Sequence, residues 1–467
     1  MRKLGIFIVL TYLKFLAKLA LRMHKPYVIG IAGSQGKTST KNALFTILQE
    51  YFSVKEVGNS ETGIPLGILG IVPQSYKYSA WLKMLISAPF GVNHLKNTKY
   101  LIVEMGIDDP YPPKNMSYLL SIIKPKIAIS LNVSVKNSTP SHAMQFEKLL
   151  KGALVLDKHE FLLTEMAKED TKIITKSGCD IGIFNIDDLY IQNLLMSFEK
   201  TSTKTKLLSF GKSRVNNLSY IKHEISLNGT HFEFNLKESG SKMQKINLTF
   251  KQLLLPKVYQ EVFAAAILAA ISIKLTPDQI ISSLQKKYSP PKGRSSMFLG
   301  INNSVIIDSS YNASRASVVA FLDMAAQLKK ITKRDIVMLF GDMRELGSES
   351  ETEHKAVAKH MMGIVDYVYL VGNETKEYVY PQFDNSKLKG LKWFESAYDA
   401  GVYLKSNLPR RSIVLVKGSQ NTIYLEEAIK FILKNKEDEK KLCRQSEYWL
   451  EAKNMKLFWQ THQLLPT

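Results

Sequence analysis

The run Gly33-Ser34-Gln35-Gly36-Lys37-Thr38 lies between an apolar, β-forming segment, Tyr27 to Ala32, and a stretch with helical spacing, Thr38 to Tyr51. A strand that ends in a glycine loop and opens a helix is the start of a parallel α/β unit. Glycines let backbone N–H groups converge on phosphate oxygens, and the helix N-terminus adds a favourable dipole. Lys37 is placed to reach the terminal phosphates and Thr38 to bind magnesium. The loop is a shortened form of the eight-residue phosphate motif, since Ile31 stands where the longer form has glycine. It points to nucleotide binding and leaves the reaction open, because kinases, switches, motors and ligases all use one.

The same alternation continues along the chain. Further strands are expected at Tyr100 to Val103, Ile127 to Leu131, Lys172 to Thr175 and Ile181 to Asn185, then an antiparallel patch at Ile221 to Leu227 and His231 to Leu236, and a helix at Gln260 to Leu275. Pro290, Pro291 and Gly293 break the pattern. A second series follows at Val305 to Asp308, Asp335 to Phe340, Tyr367 to Val371 and Ile413 to Val416. The expected organisation is an N-terminal helix over 1–25, a phosphate-loop domain over 26–291, a second α/β domain over 292–434 and a helical tail over 435–467. With 467 residues, two or three cores are needed. Cys179 and Cys443 are the only cysteines, so neither a disulfide framework nor a zinc site is indicated, and a reducing cytoplasm is the natural setting.

The formal charge of +21 favours anionic partners without choosing among nucleotides, phosphorylated substrates, nucleic acid and an acidic membrane surface. Residues 4 to 21 are apolar but interrupted by Lys14 and Lys18, too short a run to span a bilayer. Lys14, Lys18 and Arg22 recur every fourth residue and leave Phe7, Leu10, Phe15 and Leu19 for the other side. Two readings stay open: a helix lying in a membrane interface, or one packed on the protein's own body.

Glu104 follows Leu101-Ile102-Val103, so its carboxylate should emerge at a strand's carboxyl end, where it can hold magnesium. Ile127 to Val133 forms another buried strand, leading through a polar loop to His142, a ligand or hydrogen-bonding group for metal or nucleotide. Taken singly, an acid at a strand end or a lone histidine is more often structural. In order, however, the phosphate loop, Gly58-Asn59 with Thr62-Gly63-Ile64-Pro65, Val103-Glu104-Met105-Gly106, and Asn132-Val133 with His142 resemble the central domain of the Mur ligases. Asp308-Ser309-Ser310-Tyr311-Asn312-Ala313 with Ser317, Gly341-Asp342-Met343-Arg344-Glu345-Leu346-Gly347 with His354, and Lys417-Gly418-Ser419 resemble that family's C-terminal domain, closest to the branch that adds D-Ala-D-Ala. The resemblance runs over about residues 26 to 432.

The resemblance implies an α/β fold, a phosphate-loop domain with a mostly parallel sheet followed by a Rossmann-like ligase domain. It implies ATP and Mg2+ as cofactors and amide bond formation through an acyl phosphate, in which a muramyl peptide or similar carboxylate donor meets a dipeptide or amino-acid amine. Gly33, Ser34, Gln35, Gly36, Lys37, Thr38 and Ser39 would bind the phosphates. Thr38 and Glu104 would hold one magnesium ion and His142 would stand beside a second, with Lys158 near the position of a carbamylated lysine. Arg294 would reach the γ-phosphate, Asp308 the ribose, and Tyr311 and Asn312 the nucleotide. Lys37, His142, Lys158 and Arg294 are thus the catalytic candidates. Asn59, Thr62, Asp342, Glu345 and Lys417 would lie toward the substrates. A cytoplasmic monomer without a nucleic-acid partner is expected, with closure of the C-terminal domain protecting the acyl phosphate from water.

Three departures stand out. About thirty residues precede Gly33, so the family's usual uridine-binding domain is not expected, and the donor would be held otherwise or be a different molecule, such as one at the membrane. Leu255-Pro256-Lys257-Val258-Tyr259-Gln260 replaces the usual adenine-side motif, where Tyr259 either stacks on a base or simply starts a helix. Gln420, and Ser314-Arg315, replace usual residues near the amine side. A non-ligating nucleotide switch is the alternative of a different class; it would need neither Glu104 nor the second domain.

Overall fold

The computed structural model describes residues 2–73, 78–133, 145–150, 157–201, 204–237, 243–344, 346–384, 387–418 and 422–453. The chain divides into two units. The first comprises Met1–Glu224, His231–Phe250 and Val258–Tyr288; the second comprises Ile225–Thr230, Lys251–Lys257 and Ser289–Thr467.

In the first unit, strands β1 (Tyr27–Ala32), β2 (Val54–Val57), β3 (Tyr100–Glu104), β4 (Ile127–Ser130), β5 (Ile181–Asn185), β6 (Lys206–Gly211), β7 (Leu218–Ser226), β8 (Gly229–Lys237) and β9 (Met243–Lys251) form one sheet in the order β2-β3-β1-β4-β5-β6-β7-β8-β9. The pairings from β2 through to β7 are parallel. Strands β3 and β4 are buried along their whole length, which is why they read as unbroken apolar runs; β9 alternates buried and exposed residues, as a strand covered on one face does. Two residues join β7 to β8, a connection that antiparallel neighbours make. The aromatic core beside β8 and β9 contains Phe232, Phe250, Phe263 and Tyr288, with Tyr259 packed edge-on among them.

Lys172 to Thr175 is not a strand. It is the last turn of a helix, Lys158–Thr175, started by Asp157, whose Oδ1 accepts from the N–H groups of His159 and Glu160 at 2.8 and 3.1 Å. The β-branched residues Thr171, Ile173 and Ile174 mimic a strand locally, but Leu162, Leu163, Met166, Ala167, Asp170, Ile173 and Ile174 are buried at helical spacing. Ile173 Cδ1 stands 3.1 Å from where a Cβ on Gly30 would be, so this helix lies close on β1.

Helix α1 (Arg2–His24) packs on the body of its own unit through Leu10, Leu13, Leu16, Ala17 and Ala20. Of the two readings left open, the packed helix describes this face. Phe15 and Leu19, on the other side, remain exposed. Lys14 donates to Ser121 Oγ at 2.6 Å and sits over the ring of Tyr118. Among the described residues no helix is long and apolar enough to cross a membrane.

The second unit is a six-stranded sheet in the order β10-β11-β15-β12-β13-β14, from β10 (Ser296–Leu299), β11 (Val305–Ser309), β12 (Ile336–Gly341), β13 (Tyr367–Val371), β14 (Gly390–Phe394) and β15 (Ile413–Lys417). All neighbours are parallel except β10 and β11. Alternate residues feed two separate cores. Ile307, Met338, Phe340 and Leu415 pack with helix Arg315–Thr332 on one face, while Ile306, Val337, Leu339, Val414 and Val416 pack with helices Ala397–Asn407 and Glu426–Ile432 on the other. Residues 436–453 join this unit: Leu442 and Cys443 are buried, and residues 447–453 are helical.

Candidate active site

Strand β1 runs between β3 and β4, with Ile31 paired to Glu104 and Ala32 to Ser130. The glycine loop, Glu104 and Asn132 therefore leave the sheet at one carboxyl edge, beside the point where the strand order reverses, the position at which open α/β sheets collect ligands. Helix α2 (Lys37–Leu48) begins after Gly36, whose φ of 84° is left-handed. Gly33 has φ +137°, and a Cβ there would lie 2.9 Å from Leu131 Cβ, so both conformation and space demand glycine.

Asn132 holds the loop open. Ser34 N–H donates to its carbonyl at 2.7 Å and Gln35 N–H to its Oδ1 at 2.9 Å, and its Nδ2 donates to Glu261 Oε2 at 3.0 Å. Lys37 Nζ donates back to the Gly33 carbonyl, the posture of a lysine folded over its own loop. Thr38 Oγ1 stands 3.1 Å from both oxygens of Glu104, and Lys41 Nζ is 3.7 Å from that carboxylate.

A hydroxyl and a carboxylate together are hard oxygen donors of the kind Mg2+ takes, usually one or two from the protein with the rest from phosphate and water. Among the described residues no three His, Cys, Asp or Glu side chains gather as a metal cage, which a magnesium ion shared with phosphates does not require.

Two further carboxyls back the loop. Burial pushes Asp170 up to about 7, against the pull of Lys37 and a hydrogen bond from the Gly33 N–H. Burial also pushes Glu261 up to about 7, against its bond from Asn132. Neither stood out in the sequence. The available signal for Asp170 was an acid at helical spacing on the buried face of Lys158–Thr175.

The other expected residues of this unit are more dispersed. Lys158 is exposed and ion-paired to Glu147 at 3.0 Å. The Asn59 carbonyl accepts from Gly106 N–H at 2.9 Å, and Thr62 precedes helix α3 (Gly63–Ile68), whose first N–H is taken by Ser60 Oγ. Tyr259 is buried in the aromatic core at the start of helix Tyr259–Ser272, and Gln260 Nε2 donates to the Lys222 carbonyl at 3.4 Å. His142, Glu345, Ser419 and Gln420 lie outside the described residues.

In the second unit, β11 and β15 lie side by side with Ser309 paired to Lys417. Asp308 is fully buried at the carboxyl end of β11. Its Oδ1 accepts from Ser310 N–H at 2.9 Å, and its Oδ2 has no partner among the described residues. Burial pushes this carboxyl up to about 6. Lys417 Nζ donates to the Asn312 carbonyl, and burial, reinforced by Arg294, brings the ammonium down to about 7 against the attraction of Asp308. The Arg294 guanidinium lies over the Tyr311 ring at 4.7 Å.

Gly293 (φ +70°) accepts from Tyr311 N–H at 3.1 Å, and a Cβ there would meet Cys443 Sγ at 2.9 Å. The Ser310–Tyr311 backbone is clamped from the other side by Arg444, which donates to both carbonyls at 2.9 and 3.0 Å and makes a two-pronged pair with buried Glu426 at 2.8 and 2.7 Å. Sequence reading missed this clamp because its two ends come from different elements.

Asp342 follows the end of β12 and accepts from Thr375 N–H at 2.8 Å, with its pKa raised by burial. Next to it, Met343 N–H donates to His354 Nε2 at 2.9 Å. His354 Nδ1 lies 2.8 Å from the Ser350 carbonyl, which assigns the proton to Nδ1 in a neutral ring.

Comparison with known proteins bears on both units. Residues 293–420 match the model of the Mur ligase, glutamate ligase domain. A UDP-N-acetylmuramoyl-tripeptide–D-alanyl-D-alanine ligase of Rickettsia prowazekii is 26% identical over 399 residues, 85% of this chain and 76% of the relative. The enzyme of the same name from Borreliella burgdorferi is 28% identical over 402 residues, covering 84% and 72%. Among solved structures, the MurF ligase of Thermotoga maritima in complex with ADP superposes with a TM-score of 0.67 at 19% identity, covering 92% of this chain and 84% of that one.

Proposed function

We propose, from the premise that the chain is a ligase of the Mur type, that it joins a D-Ala-D-Ala dipeptide to the carboxylate of a UDP-N-acetylmuramoyl tripeptide at the expense of ATP, acting as a cytoplasmic monomer in cell-wall precursor synthesis. The observation that carries the reading is the first unit's loop and its setting. Two glycines in conformations that other residues rarely adopt, Lys37 folded over the loop, and Thr38 against Glu104 at one sheet edge support a cradle for a triphosphate and its cation. The relatives along most of the chain carry that name.

In the proposed reaction the loop N–H groups and Lys37 bind phosphate oxygens, where charge builds as the donor carboxylate attacks phosphorus. Mg2+, when bound, would neutralise further phosphate charge, and Thr38 and Glu104 are the residues that would hold it; a second cation is assigned to Lys158 as its carbamate, with His142 beside it. Nucleotide contacts are assigned to Arg294, Tyr311, Asn312 and Asp308, whose unpartnered buried Oδ2 supports an acceptor role toward a ribose hydroxyl. Asn59, Thr62, Asp342, Glu345 and Lys417 are assigned to the donor and the amine. Lys417, held near neutrality by burial and Arg294, is the group in this set suited to exchanging a proton at physiological pH.

Purified protein with ATP and magnesium should release phosphate only when the uridine-linked tripeptide and D-Ala-D-Ala are both present, and Lys37→Ala should abolish release without unfolding the protein. Release that ignores both substrates would instead mark a nucleotide switch.

A further inference from the structure

Helix α4 (Tyr78–Ser87) continues into a 3-10 turn, Ala88–Leu95, and the pair has two unlike sides. Met84, Ala88, Val92 and Leu95 are buried in the first unit's core. Leu82, Ile86 and Phe90, one every fourth residue on the other side, are 56%, 64% and 84% exposed. Helix α1 lies alongside: Tyr12 OH donates to the Leu85 carbonyl at 3.3 Å, and His24 Nε2 is 3.1 Å from the Val92 carbonyl. At about 100° per residue, Ile8, Phe15, Leu19 and Met23 fall next to Tyr12, on the flank of α1 turned to α4, and all four are exposed. Lys14 falls on the opposite flank, toward Ser121 and Tyr118, while at the same spacing Lys18 and Arg22 fall between it and the apolar row. Two elements of one unit thus present adjoining apolar rows, bordered by cations.

The two segments that carry these rows have charge of a single sign, and Glu61, just outside them, acts on Tyr118 beneath Lys14. Residues 1–49 and 62–103 contain no aspartate or glutamate, against eight lysines and arginines in the first stretch and four in the second. A second copy of this chain, at +21, would meet like charge here, and another protein would need a matching acidic patch with apolar surface beside it. An anionic headgroup layer offers only acceptors for the cations, with hydrocarbon just beneath for the apolar tips. Neither row belongs to a helix able to cross a bilayer.

We propose that the α1–α4 face docks peripherally on an anionic membrane surface, with the Ile8–Met23 and Leu82–Phe90 rows entering the acyl boundary and Lys18, Arg22 and Lys83 at the headgroups. The proposal does not depend on the ligase reading, since it uses none of the residues assigned to nucleotide or substrate.

The test is co-sedimentation of the full chain with phosphatidylcholine vesicles, with and without phosphatidylglycerol. Binding is expected on the anionic vesicles, weaker by tenfold or more on neutral ones. A Phe15→Ser/Leu19→Ser/Ile86→Ser/Phe90→Ser variant should bind at least tenfold more weakly, as should Lys18→Glu/Arg22→Glu, while both retain the affinity of the parent for ATP. The proposal is overturned if the full chain stays in the supernatant with anionic vesicles or if both variants bind as the parent does. It is likewise overturned if sedimentation velocity shows a dimer that the fourfold variant dissociates, which would make a second copy the occupant.

Discussion

Lys417→Met should remove a pH dependence of stability that the buried ammonium imposes. Lys417 is 2% exposed, and burial, with Arg294 adding to it, places its folded pKa at about 7. An unfolded lysine titrates near 10.4. Between those values the unfolded chain holds a proton that the folded chain lacks, so stability rises with pH across the window. The cost of charging the buried amine is fully present below about pH 7 and gone above about pH 10. Linkage over this interval gives about 2 kcal/mol of added stability for the parent between pH 7 and pH 9. Asp170, Glu261 and Asp308 have folded values of about 7, 7 and 6 and are common to both proteins, so their contributions largely cancel in the difference. Urea unfolding of parent and variant at pH 7, 8 and 9, followed through the fluorescence of Trp393 and Trp449 in the second unit, reads that difference directly. A parent-minus-variant stability that stays constant over the three pH values would refute the placement of a near-neutral amine at this position.

Glu426→Gln leaves Arg444 buried without its carboxylate, while Lys453 keeps Glu427, and should destabilise the second unit by about 3 kcal/mol, read as a lower urea midpoint. Gly33→Ala forces a side chain into φ +137° and against Leu131; equilibrium dialysis should show ATP affinity lost, while thermal unfolding records destabilisation of about 1–3 kcal/mol. Glu104→Gln keeps the shape of the Thr38 contact and removes the charge. It should therefore lower substrate-dependent phosphate release by roughly a hundredfold, with partial recovery at high magnesium.

Much of the geometry of the candidate phosphate loop was legible in the chain because its determinants are local. Glycine conformations, a strand ending at Ala32, a helix starting at Lys37 and an acid at the end of Leu101-Ile102-Val103 are short-range properties, and parallel pairing of β1 with β3 brings them together. The second unit's parallel strands read correctly for a similar reason, being apolar runs buried on both faces. Its edge strand β14 carries polar and half-buried positions and went unread.

What folding alone decided are the matters of burial between distant segments. Lys172 to Thr175 became helix because burial at helical spacing over a capped segment outweighed local β propensity, and the same packing brought Asp170 under the loop. Helix α1 acquired one packed and one open face according to which neighbours reached it, and Tyr259 entered an aromatic core because Phe250, Phe263 and Tyr288 converge there. Arg444 and Glu426, eighteen positions apart, became a clamp on Ser310 and Tyr311 only when the segment past 435 folded onto its unit. Backbone conformation is set by each residue and its near neighbours, and so can be read along the chain; desolvation and charge pairing depend on which surfaces meet, and only the tertiary structure contains that information.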